Sequence, residues 1–384
     1  MQTKIPHLYV HIPFCHEKCA YCDFATVTLN PQDAASPTPD YLQALLRELN
    51  AATQFFGSQT FESIYFGGGT PSVWPVDQLE SFLSALRAQH SLAANPEISI
   101  ECNPNSFDEA KLKAYLGLGI NRISLGVQTF CEPAFKTLGR SHSVEQSRAA
   151  LWLLKNRWPG TWSIDLMQGL PHQTLLDATR DLAEGISYQP PHLSLYGLLL
   201  EGPTPFRKQY VARQAPLPNE DCEADMYTLA INTLSHFGYE HYELSNFCQL
   251  GHASRHNLAY WQDSPYLGLG LSAASFVQGQ RFSNNAKLKN YLSNPVPDYP
   301  RLMNRLVPVD KRLSEKLFLM LRTSDGLTLS RLNAAESNEF LKHRAKKLDH
   351  WIQSGHVDFD PNAQRWKLTL TGKLLANSVM AELV

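Results

Sequence analysis

From residue 7 to about residue 237, short β-rich apolar runs alternate with amphipathic helical stretches, and this sixfold alternation restricts the fold more than any other feature. The runs are His7–Ile12, Ser63–Phe66, Ile98–Glu101, Arg122–Gln128, Trp162–Met167 and Leu193–Leu198. Between the first two, Tyr41–Phe56 sets Leu42, Leu45, Leu46 and Leu49 on one face, with Asp40 as expected N-cap and Gln43 three residues on. Gln78–His90 aligns Leu79, Phe82, Leu83 and Leu86, with Asp77 and Glu80 as an expected capping pair. Helical patterns over 108–117, 143–157, 175–186 and 219–237 continue the series. Consecutive strand–helix units predict a parallel sheet with helices outside. Six units are too few for a complete eight-unit barrel, so the expected α/β core is an open (β/α)6 partial TIM barrel spanning residues 1–237.

The remainder divides in two. Residues 238–300, rich in Gly, Asn, Ser and aromatics, read as an irregular extension ending at a Pro-marked stretch. Residues 301–384 carry helical patterns at Leu313–Arg322, Leu327–Leu332 and Phe340–Ser354. A turn at Pro361–Gln364 then joins strands Val357–Phe359 and Trp366–Leu370 before a final helix. That order fits a C-terminal helical, winged-helix-like domain or a plain α/β cap. A net charge of −2 provides no basic field for nucleic acid. No segment approaches the ~18 apolar residues of a membrane span. The N-terminus lacks the pattern of a signal peptide, so a cytoplasmic, reducing setting is expected.

In barrel-like α/β folds, the strand ends and the loops after them line the active site. Directly after the first strand, H-I-P-F-C-H-E-K-C-A-Y-C-D-F places Cys15, Cys19 and Cys22 in C-x3-C-x2-C spacing. Three thiolates on one loop can hold a cubane iron–sulfur cluster and leave one iron open to a small molecule. They can also hold structural zinc, with His11 or His16 as fourth ligand, or simply pack. An odd count of seven cysteines argues against disulfides. Gly67-Gly68-Gly69-Thr70-Pro71 follows the second strand, as a tight turn or as a place for close backbone approach to a ligand. Glu101 ends the third strand and either faces water or, if buried, needs a polar partner. Gln128 ends the fourth, Asp165 lies on the fifth and Tyr196-Gly197 on the sixth, while Arg140 alone reads as an ordinary surface arginine. Together these side chains offer donors and acceptors for a ribose, an adenine and a carboxylate.

The cysteine spacing, with Tyr21 before the last thiol, resembles the radical S-adenosylmethionine (SAM) superfamily. The resemblance implies a [4Fe–4S] cluster on Cys15, Cys19 and Cys22, with SAM bound through its amino and carboxylate groups to the open iron. It also implies a reducing electron donor and cleavage of SAM to methionine and a deoxyadenosyl radical. The run Y-F-G-G-G-T-P-S is similar to the family's glycine motif, which assigns Gly68, Gly69 and Thr70 to the amino end of SAM. By the same resemblance Tyr9, Tyr21, Glu101, Gln128, Arg140, Asp165 and Gly197 contact SAM.

Nearly the whole chain resembles the coproporphyrinogen-dehydrogenase-like branch, including L-Y-V-H-I-P-F-C, L-S-L-Y-G-L-L-L-E-G-P-T-P-F at 193–206 and L-T-L-T-G-K-L-L-A-N near the end. Three features favour the heme chaperones of this branch over the oxygen-independent dehydrogenase. Phe24 stands where the dehydrogenase has a further cysteine, only fourteen residues precede Cys15, and His256-Asn257-Leu258-Ala259-Tyr260-Trp261 matches the H-N-x-x-Y-W motif associated with heme binding. An imidazole is a common axial ligand and aromatics supply flat apolar surface, which Tyr242, Phe247 and Tyr266 could extend. A histidine among aromatics can equally be a hydrogen-bonded packing residue. The implied activity is binding of heme and its delivery to an acceptor protein, with His256 as iron ligand. The alternative is oxidative decarboxylation of coproporphyrinogen III, a porphyrinogen ligand. In the fifth-strand motif D-L-M-Q-G-L-P-H-Q, Gln168 and His172 depart from the branch pattern, standing where tyrosine and glycine are common, and loss of that glycine bears on the turn. Cys102, Cys131, Cys222 and Cys248, the last where alanine is usual, lack cluster spacing and read as packing residues.

Overall fold

A computed structural model describes residues 4–30, 36–200, 204–210 and 217–383. Glu201–Pro203, inside the run at 193–206, lie outside the described residues. The six expected strands are present: β1 His7–Ile12, β2 Thr60–Gly68, β3 Ser91–Cys102, β4 Arg122–Gln128, β5 Thr161–Gln168 and β6 His192–Gly197. Each pairs in parallel with the next, in chain order. The crossovers carry helices α1 Thr38–Phe56, α2 Val76–Gln89, α3 Glu109–Gly117, α4 Val144–Arg157 and α5 Leu175–Ser187, and α6 Glu220–His236 follows β6. Leu45 and Leu49 of α1 and Phe82, Leu83 and Leu86 of α2 are fully buried, so the apolar stripes face the sheet as their spacing predicts.

Two helix starts differ from expectation. Proline sets them: α1 begins three residues earlier behind Pro37, placing Asp40 in its first turn, and α2 begins behind Pro75 with Asp77 inside it. Neither has a side-chain cap; the fixed φ of proline pre-organises the turn and the acids complement the helix dipole.

The larger correction concerns 238–300. Far from irregular, this segment completes the sheet at both edges. Strands β7 Glu240–Glu243 and β8 Asn246–Cys248 add antiparallel beyond β6. On the other side β9 Tyr266–Leu269 pairs in parallel with β1 and is extended by β10 Ala274–Val277 and β11 Gln280–Ser283. The order is β11-β10-β9-β1-β2-β3-β4-β5-β6-β8-β7. Strands of three or four residues among Gly and Asn carry too little alternation to be read as such. Helix α7 Arg255–Trp261 lies between the two sets of strands.

Beyond Pro300 a second apolar cluster forms, containing Leu313, Leu317, Phe340, Trp366 and Val379. It joins α8 Val309–Leu321 to shorter helices and an antiparallel hairpin, Val357–Asp360 with Arg365–Leu368. Leu327–Thr328 is a third strand of that hairpin sheet and not part of a helix. The expected helix Phe340–Ser354 is broken: one helix ends at His343 and another spans Asp349–Gln353.

Candidate functional site

The cysteine loop is closed at its base by a two-residue parallel pairing of Phe14–Cys15 with Val27–Thr28. The glycine run locks onto it: the Gly69 amide donates to Ile12 O at 2.9 Å and the Thr70 amide to Phe14 O at 2.8 Å. Thr70 Oγ1 donates to Cys15 Sγ at 3.6 Å. Burial pushes the Cys15 thiol up to about 11, against the Thr70 hydrogen bond, and raises Cys22 as well. All three thiols line one cavity of about 340 Å³.

The opposite walls come from the strand ends. Gly68 has φ +119°, a conformation that disfavours any side chain, and a Cβ there would lie 2.6 Å from the His11 ring. Its amide donates to Glu101 Oε2 at 3.0 Å while Tyr65 OH donates to Oε1 at 2.8 Å. Burial, helped by the Asp165 charge, still pushes the Glu101 carboxyl up to about 7. Asp165 accepts from Ser124 Oγ at 2.8 Å, and burial raises its carboxyl too. Gln128 sits at a bulge with φ 75°, a left-handed conformation uncommon for a residue with a side chain.

Arg140 is no surface arginine. Its Nη1 donates to Tyr21 OH at 2.9 Å and reaches Cys19 Sγ at 3.9 Å, while Nη2 donates to Asn103 Oδ1 at 2.6 Å and Gly126 O at 3.1 Å. Its buried Nε has no partner.

Of the residues assigned to SAM, then, Tyr21, Gly68, Gly69, Thr70, Glu101, Gln128, Arg140 and Asp165 share the cavity of the three cysteines. Tyr9 lines a neighbouring cavity, and Gly197 is exposed at the end of β6. The sequence gives no separate signal for Asn103 and Tyr65, although Asn103 follows Glu101 by two residues and Tyr65 opens the run Y-F-G-G-G. Cys102, expected only to pack, touches the cavity wall.

The donor set suits the implied cofactors. Among the described residues no three His, Cys, Asp or Glu side chains are gathered as ligands for a single metal ion. Three thiols lining one cavity suit three irons of a cubane cluster. The orphaned Arg140 Nε and the buried carboxylates provide for a zwitterionic ligand beside it. Cys15, Cys19 and Cys22 would hold the cluster, and cluster with SAM would supply reductive radical chemistry.

The H-N-x-x-Y-W motif forms α7. The buried Glu97 carboxylate accepts from the Arg255 amide at 3.1 Å and the His256 amide at 3.0 Å, fixing the helix start. His256 is fully buried. Its Nδ1 lies 2.8 Å from Ser63 Oγ, its Nε2 2.9 Å from Tyr260 OH, and its ring stacks on Tyr65 at 5.1 Å. Burial lowers it to about 3, so it is a neutral imidazole with both nitrogens engaged. Asn257 faces a small polar pocket in the barrel interior. Tyr260 and Trp261 instead line a second cavity of about 830 Å³ between β1, β9, the cysteine loop and α8. Phe24 contributes to the walls of both cavities.

A partial parallel barrel with three thiols at one rim defines a radical SAM protein, and the family model described as the radical SAM superfamily matches residues 9–183. The full-length similarity is narrower. The heme chaperone HemW of Synechocystis is 36% identical over 345 residues, covering 87% of this chain and 82% of that one. HemW of Lactococcus lactis is 34% identical, covering 99% and 97%, and HemW of Escherichia coli 33%, covering 98% of each. The chain belongs to the HemW family. The solved structure of coproporphyrinogen III oxidase (HemN) from Escherichia coli shares the fold, with TM-score 0.82 at 24% identity, covering 99% of this chain and 90% of that one.

Proposed function

We infer that this protein is a heme chaperone: it binds heme and passes it to acceptor proteins, working in the cytoplasm with a [4Fe–4S] cluster, SAM and an electron donor. The observation that carries this reading is similarity to HemW relatives over nearly the entire chain, well beyond the residues of the radical SAM match. A large, mostly apolar cavity beside the H-N-x-x-Y-W helix supports it, since its volume of about 830 Å³ falls in the range of small-molecule sites. In the cluster cavity the protein's part is to bind and orient: Arg140 and the Gly68–Thr70 backbone hold polar groups of SAM, and Glu101 braces the glycine turn. The 4Fe–4S ligands are Cys15, Cys19 and Cys22, and the heme motif is His256, Asn257, Tyr260 and Trp261.

The second reading, oxidative decarboxylation of coproporphyrinogen III, draws on the shared fold. Phe24 at the position of a further cysteine weighs against it. Anaerobic heme titration of cluster-reconstituted protein, followed by incubation with an apo-hemoprotein, tests both. One saturable heme per chain that moves to the acceptor is expected, with no product from coproporphyrinogen, SAM and reductant. Product formation without saturable heme binding would replace the first reading with the second.

A further inference from the structure

Side-chain hydrogen bonds reach two of the three thiols: Thr70 donates to Cys15 Sγ, and Arg140 reaches Cys19 Sγ. One further side chain touches both donors. Asn103, just beyond β3 in the same cavity, donates from Nδ2 to Thr70 Oγ1 at 3.1 Å and accepts at Oδ1 from Arg140 Nη2 at 2.6 Å. Resting on the cluster reading above, we propose that Asn103 is a positioning residue of the cluster site: spanning Arg140 and Thr70, it directs both donors at the sulfurs and so holds the cluster's reduction potential up.

Arg140 decides which way the amide faces. A guanidinium only donates, so the end of Asn103 that meets it is the oxygen, and the NH2 end is turned to Thr70. Facing that NH2, Thr70 Oγ1 is an acceptor, and its single proton is left for Cys15 Sγ. On the other arm, Asn103 Oδ1 and Gly126 O share Nη2, which leaves Nη1 for Tyr21 OH and Cys19 Sγ. The absent side chain of Gly126 makes room for this pairing: a Cβ there would lie 3.2 Å from Arg140 Nη2 and 3.3 Å from Asn103 Oδ1. Asn103 is itself anchored, its amide donating to Ser106 Oγ at 3.0 Å and its carbonyl accepting from the same hydroxyl at 2.6 Å. Hydrogen bonds to cluster sulfurs favour the more negative, reduced state, so a residue that enforces two of them raises the potential. Aspartate at this position would keep the size and the Arg140 contact but could only accept. The Thr70 hydroxyl would then donate to the carboxylate, and the Cys15 sulfur would lose its donor.

The test is a spectroelectrochemical titration of the cluster-reconstituted full chain without SAM. It compares wild type, Asn103→Asp, Thr70→Val, the double variant and Asn103→Leu, all close in shape to the residues they replace. Asn103→Asp is expected to lower the cluster's midpoint potential, and to lower it less in the Thr70→Val background, where no hydroxyl remains to be diverted. Asn103→Leu adds no charge and releases both donors, so it should lower the potential as well. Equal drops for Asn103→Asp in both backgrounds would mean that the added charge acts alone, and would overturn the assignment. An unmoved potential in Asn103→Leu would overturn it too, with the cluster reading left standing. Wild type that takes up no [4Fe–4S] cluster would remove the cluster reading itself, and the assignment with it.

Discussion

The Thr70 hydroxyl donates to the Cys15 sulfur over 3.6 Å, joining two motifs separated by more than fifty residues. The same oxygen accepts from Asn103 Nδ2 at 3.1 Å, so the glycine run, the end of β3 and the cysteine loop share one hydrogen-bond chain. Hydrogen bonds to cluster sulfurs stabilise the reduced, more negative state and so raise the reduction potential. Thr70→Val should therefore leave iron and sulfide content unchanged while lowering the cluster's midpoint potential in a spectroelectrochemical titration. An unmoved potential would separate Thr70 from the cluster.

Removing the thiols themselves tests the assignment of the loop. Single Cys15→Ala, Cys19→Ala and Cys22→Ala variants should each lose nearly all iron and sulfide after anaerobic reconstitution, with far-UV circular dichroism unchanged. A variant that still holds a full cluster would show that its cysteine is not a ligand.

Arg140 holds its place through four contacts on both guanidinium ends, a fork that lysine cannot reproduce. Arg140→Lys should weaken SAM binding to the cluster-loaded protein by about tenfold or more, on the order of 1.4 kcal/mol. Equilibrium dialysis with labelled SAM reads this directly, and equal affinity in both proteins would place Arg140 outside the SAM site.

The positional regularity that made much of the rim legible was local: its residues lie on, end or follow strands whose apolar runs are visible by themselves. The cysteines, Gly68, Glu101 and Asp165 could be found that way. Arg140 could not, because what turns it inward is its pairing with Tyr21 and Asn103, distant in sequence. His256 illustrates the opposite failure. Its motif marks the right helix, but the partner that occupies its Nδ1 is Ser63 of β2, a serine with no sequence signal. The strands of 238–300 were hidden for a related reason: long-range pairing with β1 and β6, and not local propensity, makes them strands.

His172 adopts φ 65° with an exposed side chain that makes no recorded hydrogen bond. The structure thus holds a residue with a side chain in a left-handed turn, at a steric cost that only glycine avoids. Part of the relief is offset by the greater chain entropy of glycine when unfolded. His172→Gly should still stabilise the protein by roughly 0.5–1 kcal/mol, and raise the melting temperature by about 1 °C. A lower melting temperature would mean that the imidazole makes contacts worth more than the strain.

Glu48 of α1 ties the 238–300 segment to the barrel. Its carboxylate accepts from the Gly270 amide at 2.9 Å, Tyr291 OH at 2.6 Å and Asn284 Nδ2 at 2.5 Å. Burial pushes its carboxyl up to about 8, against those three hydrogen bonds. An unfolded glutamate loses its proton near pH 4.3, so between about pH 4.5 and pH 8 the folded state binds the extra proton and stability falls as pH rises. Below that window Glu48 is protonated in both states, and above it ionised in both, so its contribution is level. Glu48→Gln cannot ionise and should flatten this part of the profile, whatever else titrates in common. Urea midpoints at pH 5 and pH 8.5 would show a larger drop in wild type than in the variant, and equal drops would mean that Glu48 is ionised throughout. Glu48→Ala strands the three donors in the interior and should cost roughly 3 kcal/mol or more at either pH.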